Sequence, residues 1–143
     1  MTTANVIRKE ESNYGNFLAD LGRLFYNTDL CIINSGSIRS DTVLNPHKIN
    51  FLFVDGLIDG PLTVLKIPGK TVVEMLEHSV SVTPETAGLF LCVSGMKYTY
   101  DHTKNPKVQS VQIDGKLLEL DKMYTLTVPQ YVAGGGDGYS CLS

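Results

Sequence analysis

Two short segments of the chain carry side chains able to grip a small polar molecule. The first is Asn34-Ser35-Gly36-Ser37-Ile38-Arg39. Asn34 offers both donor and acceptor atoms. Arg39 offers a planar guanidinium fork suited to a phosphate, a carboxylate or a ribose oxygen. The second segment is Pro129-Gln130-Tyr131-Val132-Ala133-Gly134-Gly135-Gly136-Asp137-Gly138. Tyr131 has a flat face on which a base can stack, an interaction worth about 1–3 kcal/mol per base. Its consecutive glycines let backbone approach a ligand closely. Asp137 can accept hydrogen bonds from a ribose or a base. Each segment also has a plain reading. The first is then an ordinary turn with a solvated Arg39, and the second a mobile loop with Tyr131 packed in the core.

Other signatures of chemistry are lacking. The glycine run is no phosphate loop, because no Gly-Lys-Ser/Thr follows at the required spacing. His47, His78 and His102 are scattered, without metal-ligand spacing, and His78 reads as a surface or helix-end residue. Ser94 lacks the Gly-x-Ser-x-Gly frame of a nucleophile. Asp55-Gly56 and Asp59-Gly60 are too short and too apolar for a calcium loop. Cys31, Cys92 and Cys141 lack paired short spacing, and Cys31 and Cys92 sit inside apolar runs where a thiol behaves as a small core residue.

The elements that must position these segments follow from periodicity. Residues 12–27 read as a helix whose Tyr14, Phe17, Leu18, Leu21, Leu24 and Phe25 form one apolar face. Ser12 or Asn13 is its N-cap. Residues 30–33 are wholly apolar, the mark of a strand buried on both faces, and the first candidate loop follows at once. Pro46 closes a polar connection, and residues 50–58 are ambiguous between strand and helix. Residues 62–67 form a strand. Pro68-Gly69-Lys70-Thr71 then opens a second helix with Val72, Val73, Leu76 and Val80 on its apolar stripe. The second half reads as all β. Strands are expected at 89–93, 97–100, 108–113 and 124–128, with Asp114-Gly115 as a hairpin turn and 133–139 as a flexible loop. The result is an α+β fold, a single compact domain with a mixed β-sheet and about two main helices.

Composition sets the outer bounds. The chain has 143 residues, 43% apolar and 19% charged, with a net charge of −3, which is a folding composition for one domain. The charge gives no basic patch for nucleic acid. No run approaches the ~20 apolar residues of a membrane span. Residues 1–13 contain no apolar stretch resembling a signal peptide. That would argue for the cytosol in an intact protein, and argues nothing in an excised domain.

The candidate segments and their surroundings resemble one family. Glu11 to Asp20 looks like the "ESNLGNLIADA" opening of the 5′-nucleotidase C-terminal domain. Ile32 to Arg39 resembles its "LINSGGIR", and Met75 to Ser81 its "ALEHGVS". Phe90 to Asp101 resembles "FLQVSGLRYTYD", and Ala133 to Tyr139 resembles "AAGGDGY". The five matches are in order and cover residues 10–139.

This resemblance implies a nucleoside- or nucleotide-binding domain of a metal-dependent phosphohydrolase. The catalytic metallophosphoesterase domain would lie upstream in the same polypeptide and hold two divalent metal ions. This chain would hold no metal and be inactive alone. By position, Asn34, Gly36, Arg39, Gly135 and Asp137 fall among the substrate-binding residues, with Arg39 near the ribose, Tyr131 on the base and Asp137 on the ribose hydroxyls. Two positions depart from the pattern. Ile58 stands where the family's "LPFG" places the second base-covering aromatic, beside an apparent one-residue deletion around residues 50–55. Asn13 stands where some members have Arg. Relatives of this type are secreted, periplasmic or surface-anchored, and can form dimer contacts through this domain. The departures motivate a second reading, a non-catalytic binding or interaction module that kept the fold and lost nucleotide binding.

Overall fold

The computed structural model describes residues 4–38 and 58–143. Arg39, the Pro46 connection and the ambiguous segment before Ile58 lie outside the described residues.

Helix α1, Ala4–Ile7, precedes α2, Asn13–Tyr26. Ser12 caps α2 as its sequence implies: its backbone is extended and its Oγ accepts from Gly15 N at 3.0 Å. Asn27 ends the helix in the left-handed conformation, which Asn tolerates better than most residues. Strand β1 is Leu30–Asn34, β2 Leu62–Pro68, β3 Leu91–Ser94, β4 Met96–Tyr100, β5 Val108–Ile113, β6 Lys116–Leu117 and β7 Met123–Pro129. Helix α3 spans Gly69–Ser79, and a short helix α4 spans Gln130–Ala133.

The strands make a four-stranded mixed sheet, β2-β7-β1-β3, and a three-stranded antiparallel sheet, β4-β5-β6. β1 and β7 are parallel neighbours, paired through Leu30–Leu126 and Cys31–Thr127. β1 is buried along its whole length. Its alternate residues feed two cores: Leu30 and Ile32 join Met75, Leu76, Leu126 and Val128, while Cys31 and Ile33 join Leu18, Ala19 and Cys92. The apolar run therefore separates α3 from α2 across one sheet. At Asp114-Gly115 both φ angles are positive, 51° and 73°, as a two-residue turn matching strand twist requires.

The face that α2 buries differs in part from the expected one: Tyr14, Phe17 and Leu18 meet the core, but the stripe does not continue to Leu24 and Phe25. Gly15, Leu18, Ala19 and Gly22 are buried, whereas Leu24 and Phe25 are 69% and 78% exposed. Close approach is the physical reason. A Cβ on Gly15 would overlap Cys92 Sγ, and one on Gly22 would lie 2.9 Å from Cys31 Sγ. The helix thus rests on its small residues together with Leu18, with Tyr14 and Phe17 packed at the edge, while Leu24 and Phe25 stand outside the contact. Burial pushes both thiols up to about 12, so they behave as core atoms and not as nucleophiles.

Polar clamps fix the remaining joints. The Glu77 carboxylate accepts from Lys107 N and Val108 N at 2.7 and 2.8 Å. Lys107 Nζ in turn donates to the carbonyls of Val80, Ser81 and Thr83, just past the end of α3. A cation there also suits the helix dipole. At the start of β1, Asp29 Oδ2 accepts from Thr125 N and Thr125 Oγ1, both at 2.8 Å. The Thr125 N–H, then its hydroxyl, hold the Asp29 carboxyl below its ordinary range.

Two outcomes follow for stability. Gly15→Ala gains helix propensity of at most ~1 kcal/mol but overpacks the Cys92 contact at a cost of about 1–3 kcal/mol. Urea denaturation should show net loss, partly recovered in the Gly15→Ala/Cys92→Ala double variant. For Asp29, a depressed folded pKa means stabilisation that is present above the unfolded value near ~4 and lost as pH falls through the folded value. The stability gap between wild type and Asp29→Ala should therefore shrink on acidification below about pH 4.

Candidate functional site

Because β1 and β7 are adjacent and parallel, their carboxyl ends open on the same edge of the sheet. β1 ends at Asn34 and turns through a 3-10 segment, Ser35–Ser37. β7 ends at Pro129 and continues through α4 into a second 3-10 turn, Gly136–Gly138. The two candidate segments meet there.

Asp137 is the meeting point. Asn34, only 2% exposed, donates from Nδ2 to Asp137 Oδ2 at 2.7 Å. The Asn34 carbonyl oxygen accepts from the Ser37 hydroxyl at 2.5 Å, so the amide is fixed at both ends. Tyr131 Oη donates to Asp137 Oδ1 at 3.1 Å and accepts from Asp137 N at 3.2 Å. The Tyr131 side chain remains 59% exposed, with its ring over Gly136. A Cβ on Gly136 would lie 2.6 Å from Cε1 and Cζ of that ring, so only glycine fits beneath it. Gly135 and Asp137 both take left-handed backbone, with φ of 88° and 53°.

Gly36 shapes the first turn. Its N donates to Gly88 O at 2.8 Å, and a Cβ there would stand 3.2 Å from Gly88 Cα and Gly88 O. Ser35 N donates to Phe90 O at 2.8 Å. The turn after β1 is thereby laced to the segment entering β3.

The structure thus brings Asn34, Tyr131 and Asp137 together, with Gly36 and Gly135 forming their turns. Ile58 pairs with Ile38 in an isolated bridge and packs on the smaller core. Asn13 is exposed at the start of α2 and makes no hydrogen bond to Asn34, Tyr131 or Asp137. Arg39 lies outside the described residues.

Two expectations are corrected. Residues 133–139 are ordered turns, with Gly134 N on Gln130 O and Gly135 N on Val132 O at 3.0 Å each. The second half is accordingly not all β. The aromatic that fills the core from this segment is Tyr139, fully buried, and not Tyr131.

Two contacts escaped the sequence reading, although His78 does stand at a helix end as expected. His78, in the last turn of α3, lies with Nε2 2.8 Å from Asp137 O. The Arg8 carbonyl accepts from Ala87 N, beside the segment facing Gly36, and its Nε is buried without a hydrogen-bond partner. Both contacts join residues far apart in the chain, so only the tertiary fold makes them. Among the described residues, no group of three or more His, Cys, Asp or Glu is placed to hold a metal ion.

Fold and cluster define an α+β domain with a carboxylate-centred polar cluster at the ends of two parallel strands. The chain belongs to the family described as 5′-nucleotidase, C-terminal domain, which it matches over residues 1–143. It is 32% identical over 139 residues to a 5′-nucleotidase of Vibrio vulnificus, covering 97% of this chain and 24% of that protein. It is 30% identical over 158 residues to a 5′-nucleotidase of Mus musculus, covering 94% and 27%. Among solved structures, the 5′-nucleotidase precursor from Thermus thermophilus superposes with a TM-score of 0.82 at 29% identity, over 97% of this chain and 29% of that one. A sulfate thiohydrolase of the same genus shares the fold at a TM-score of 0.70 and 15% identity, over 90% of this chain and 26% of that one. The chain therefore spans about a quarter of the length of these relatives.

The cluster makes Asn34 a structural residue as well. Asn34→Leu should leave the Ser37 hydroxyl and the Asp137 carboxylate short of a partner at a buried position. The expected loss is about 1–3 kcal/mol by chemical denaturation.

Proposed function

We propose that this domain holds the nucleoside part of a nucleotide for a metal-dependent phosphohydrolase domain of the same polypeptide. The convergence of Asn34 and Tyr131 on one carboxylate carries the reading. An ionised carboxylate has about four acceptor sites. Asn34 Nδ2 uses one on Oδ2, and Tyr131 Oη uses one on Oδ1. About one site then remains on each oxygen, a pair matched to the two hydroxyls of a vicinal diol. Ribose presents such a diol. The exposed Tyr131 ring, fixed by its own hydroxyl beside that carboxylate, supplies the flat face for a base.

The names of the relatives support the same class of substrate, since they are 5′-nucleotidases. In the full protein, two divalent ions in the companion domain would clamp the phosphate and activate water. The residues described here would bind and orient the nucleoside, and Arg39 would reach the ribose. A location outside the cytoplasm fits relatives described as snake venom enzymes or as a precursor.

Calorimetric titration of the 143-residue chain tests the reading. Adenosine should bind, and 2′-deoxyadenosine should bind about tenfold more weakly, because one diol hydroxyl is gone. Asp137→Ala should abolish the difference between the two. An absence of heat and of Tyr131 signal changes at millimolar nucleoside would favour the non-catalytic module instead. Fused to a metallophosphoesterase domain, the chain should support phosphate release from a nucleoside monophosphate that chelator stops, while the chain alone releases none.

A further inference from the structure

We infer that His78 is a positioning residue that sets the direction of the Asp137 carboxylate; the ligand side of this inference rests on the function proposed above. Asp137 sits between Gly136 and Gly138 with φ of 53°, a conformation that L-residues disfavour. Its own side chain therefore needs help from the surroundings to stay in place. The help comes from the opposite side of the turn. The Asp137 carbonyl only accepts, so the His78 nitrogen 2.8 Å away, Nε2, carries the proton and donates.

The imidazole is itself held. Its ring meets Tyr139 edge-to-face, with centroids 4.6 Å apart and planes at 82°. Tyr139 is fully buried, and its hydroxyl donates to Leu89 O. Gly138 makes room for the ring: a Cβ there would lie 3.0 Å from His78 Cε1 and Nε2, and its φ of 86° already favours glycine. One residue before His78, Glu77 ties α3 to β5 through Lys107 N and Val108 N. The end of α3 is thus a fixed post from which one N–H reaches the Asp137 peptide.

Without that bond, the peptide between Asp137 and Gly138 keeps, among the described residues, only the bond from Gly138 N to Gly135 O, at 3.2 Å, and glycine at 138 tolerates other orientations. A turn held by one bond fewer is looser at the Asp137 Cα, and the aim of the carboxylate at Asn34 and Tyr131 loosens with it. The His78 bond runs to the Asp137 carbonyl oxygen, so its effect passes through the Asp137 backbone.

Three chains test this: wild type, His78→Gln and His78→Leu. Glutamine keeps an N–H donor at similar reach, and leucine keeps bulk without the donor. The ligand-free readout is hydrogen exchange of the Asn34 side-chain amide by NMR. The second is adenosine affinity, and the third is thermal unfolding. His78→Leu should speed Asn34 amide exchange and weaken adenosine binding, each by about tenfold, with His78→Gln within about threefold of wild type on both. Wild-type exchange and affinity in His78→Leu would overturn the inference. Equal losses in both variants, tracking their unfolding temperatures, would also overturn it, because packing on Tyr139 would then be the whole role. Failure of the wild-type chain to bind adenosine counts against the proposed function alone, and the exchange comparison still decides the role of His78.

Discussion

A single hydrogen bond, from Asn34 Nδ2 to Asp137 Oδ2, joins segments 103 residues apart at the edge of the sheet. Each partner is useless to the other unless β1 and β7 end side by side. That requires the parallel pairing at Leu30–Leu126 and Cys31–Thr127, which no hairpin can provide. It also requires Asn34 to be buried yet satisfied, which Ser37 and Asp137 achieve together. An apolar residue at the end of β1 would pack as well, but it would leave the turn after β7 without an anchor. The buried amide thus specifies how two distant turns face each other, beyond any stability it adds.

The two faces of the sheet serve that constraint differently. On one side α2 lies close enough that glycines meet cysteines, so little space remains for β1 to shift. On the other, α3 is pinned to the second sheet by Glu77 and Lys107. Interiors packed at crystal-like density transmit small displacements instead of absorbing them.

Much of the framework was legible in the sequence, because it rests on local chemistry. Ser12 caps a helix wherever it precedes one, Asp114-Gly115 makes a hairpin turn, and an unbroken apolar run at 30–33 must be covered on both faces. The face of α2 was legible only in its first half, at Tyr14, Phe17 and Leu18. Large apolar residues dominate any periodicity reading, while the contact here adds Gly15, Ala19 and Gly22 to Leu18 and leaves Leu24 and Phe25 out. The path of the tail was not legible for a related reason. Tyr131 and Tyr139 are both aromatics flanking one glycine run, and α4 is only four residues long, too short to show a period. Which ring is buried depends on the path the chain takes after β7. The contacts of His78 and Arg8 are non-local, so no spacing rule reaches them.

The hydroxyl of Tyr131 links two tasks that a phenylalanine would keep apart. Its bonds to Asp137 Oδ1 and Asp137 N tie the ring to the carboxylate, and Gly136 leaves room for the ring to lie there. On the proposed reading, ring and carboxylate then form one rigid unit, with the flat face and the diol acceptors at a fixed separation. Rigidity of this kind lowers the ordering cost of binding, which matters where an isoleucine, Ile58, packs with the core and offers no second aromatic face. A one-sided base site can keep useful affinity when its single face is held in place before the ligand arrives. Affinity would then depend on the Asn34–Asp137–Tyr131 chain of hydrogen bonds more than on the area of the ring itself.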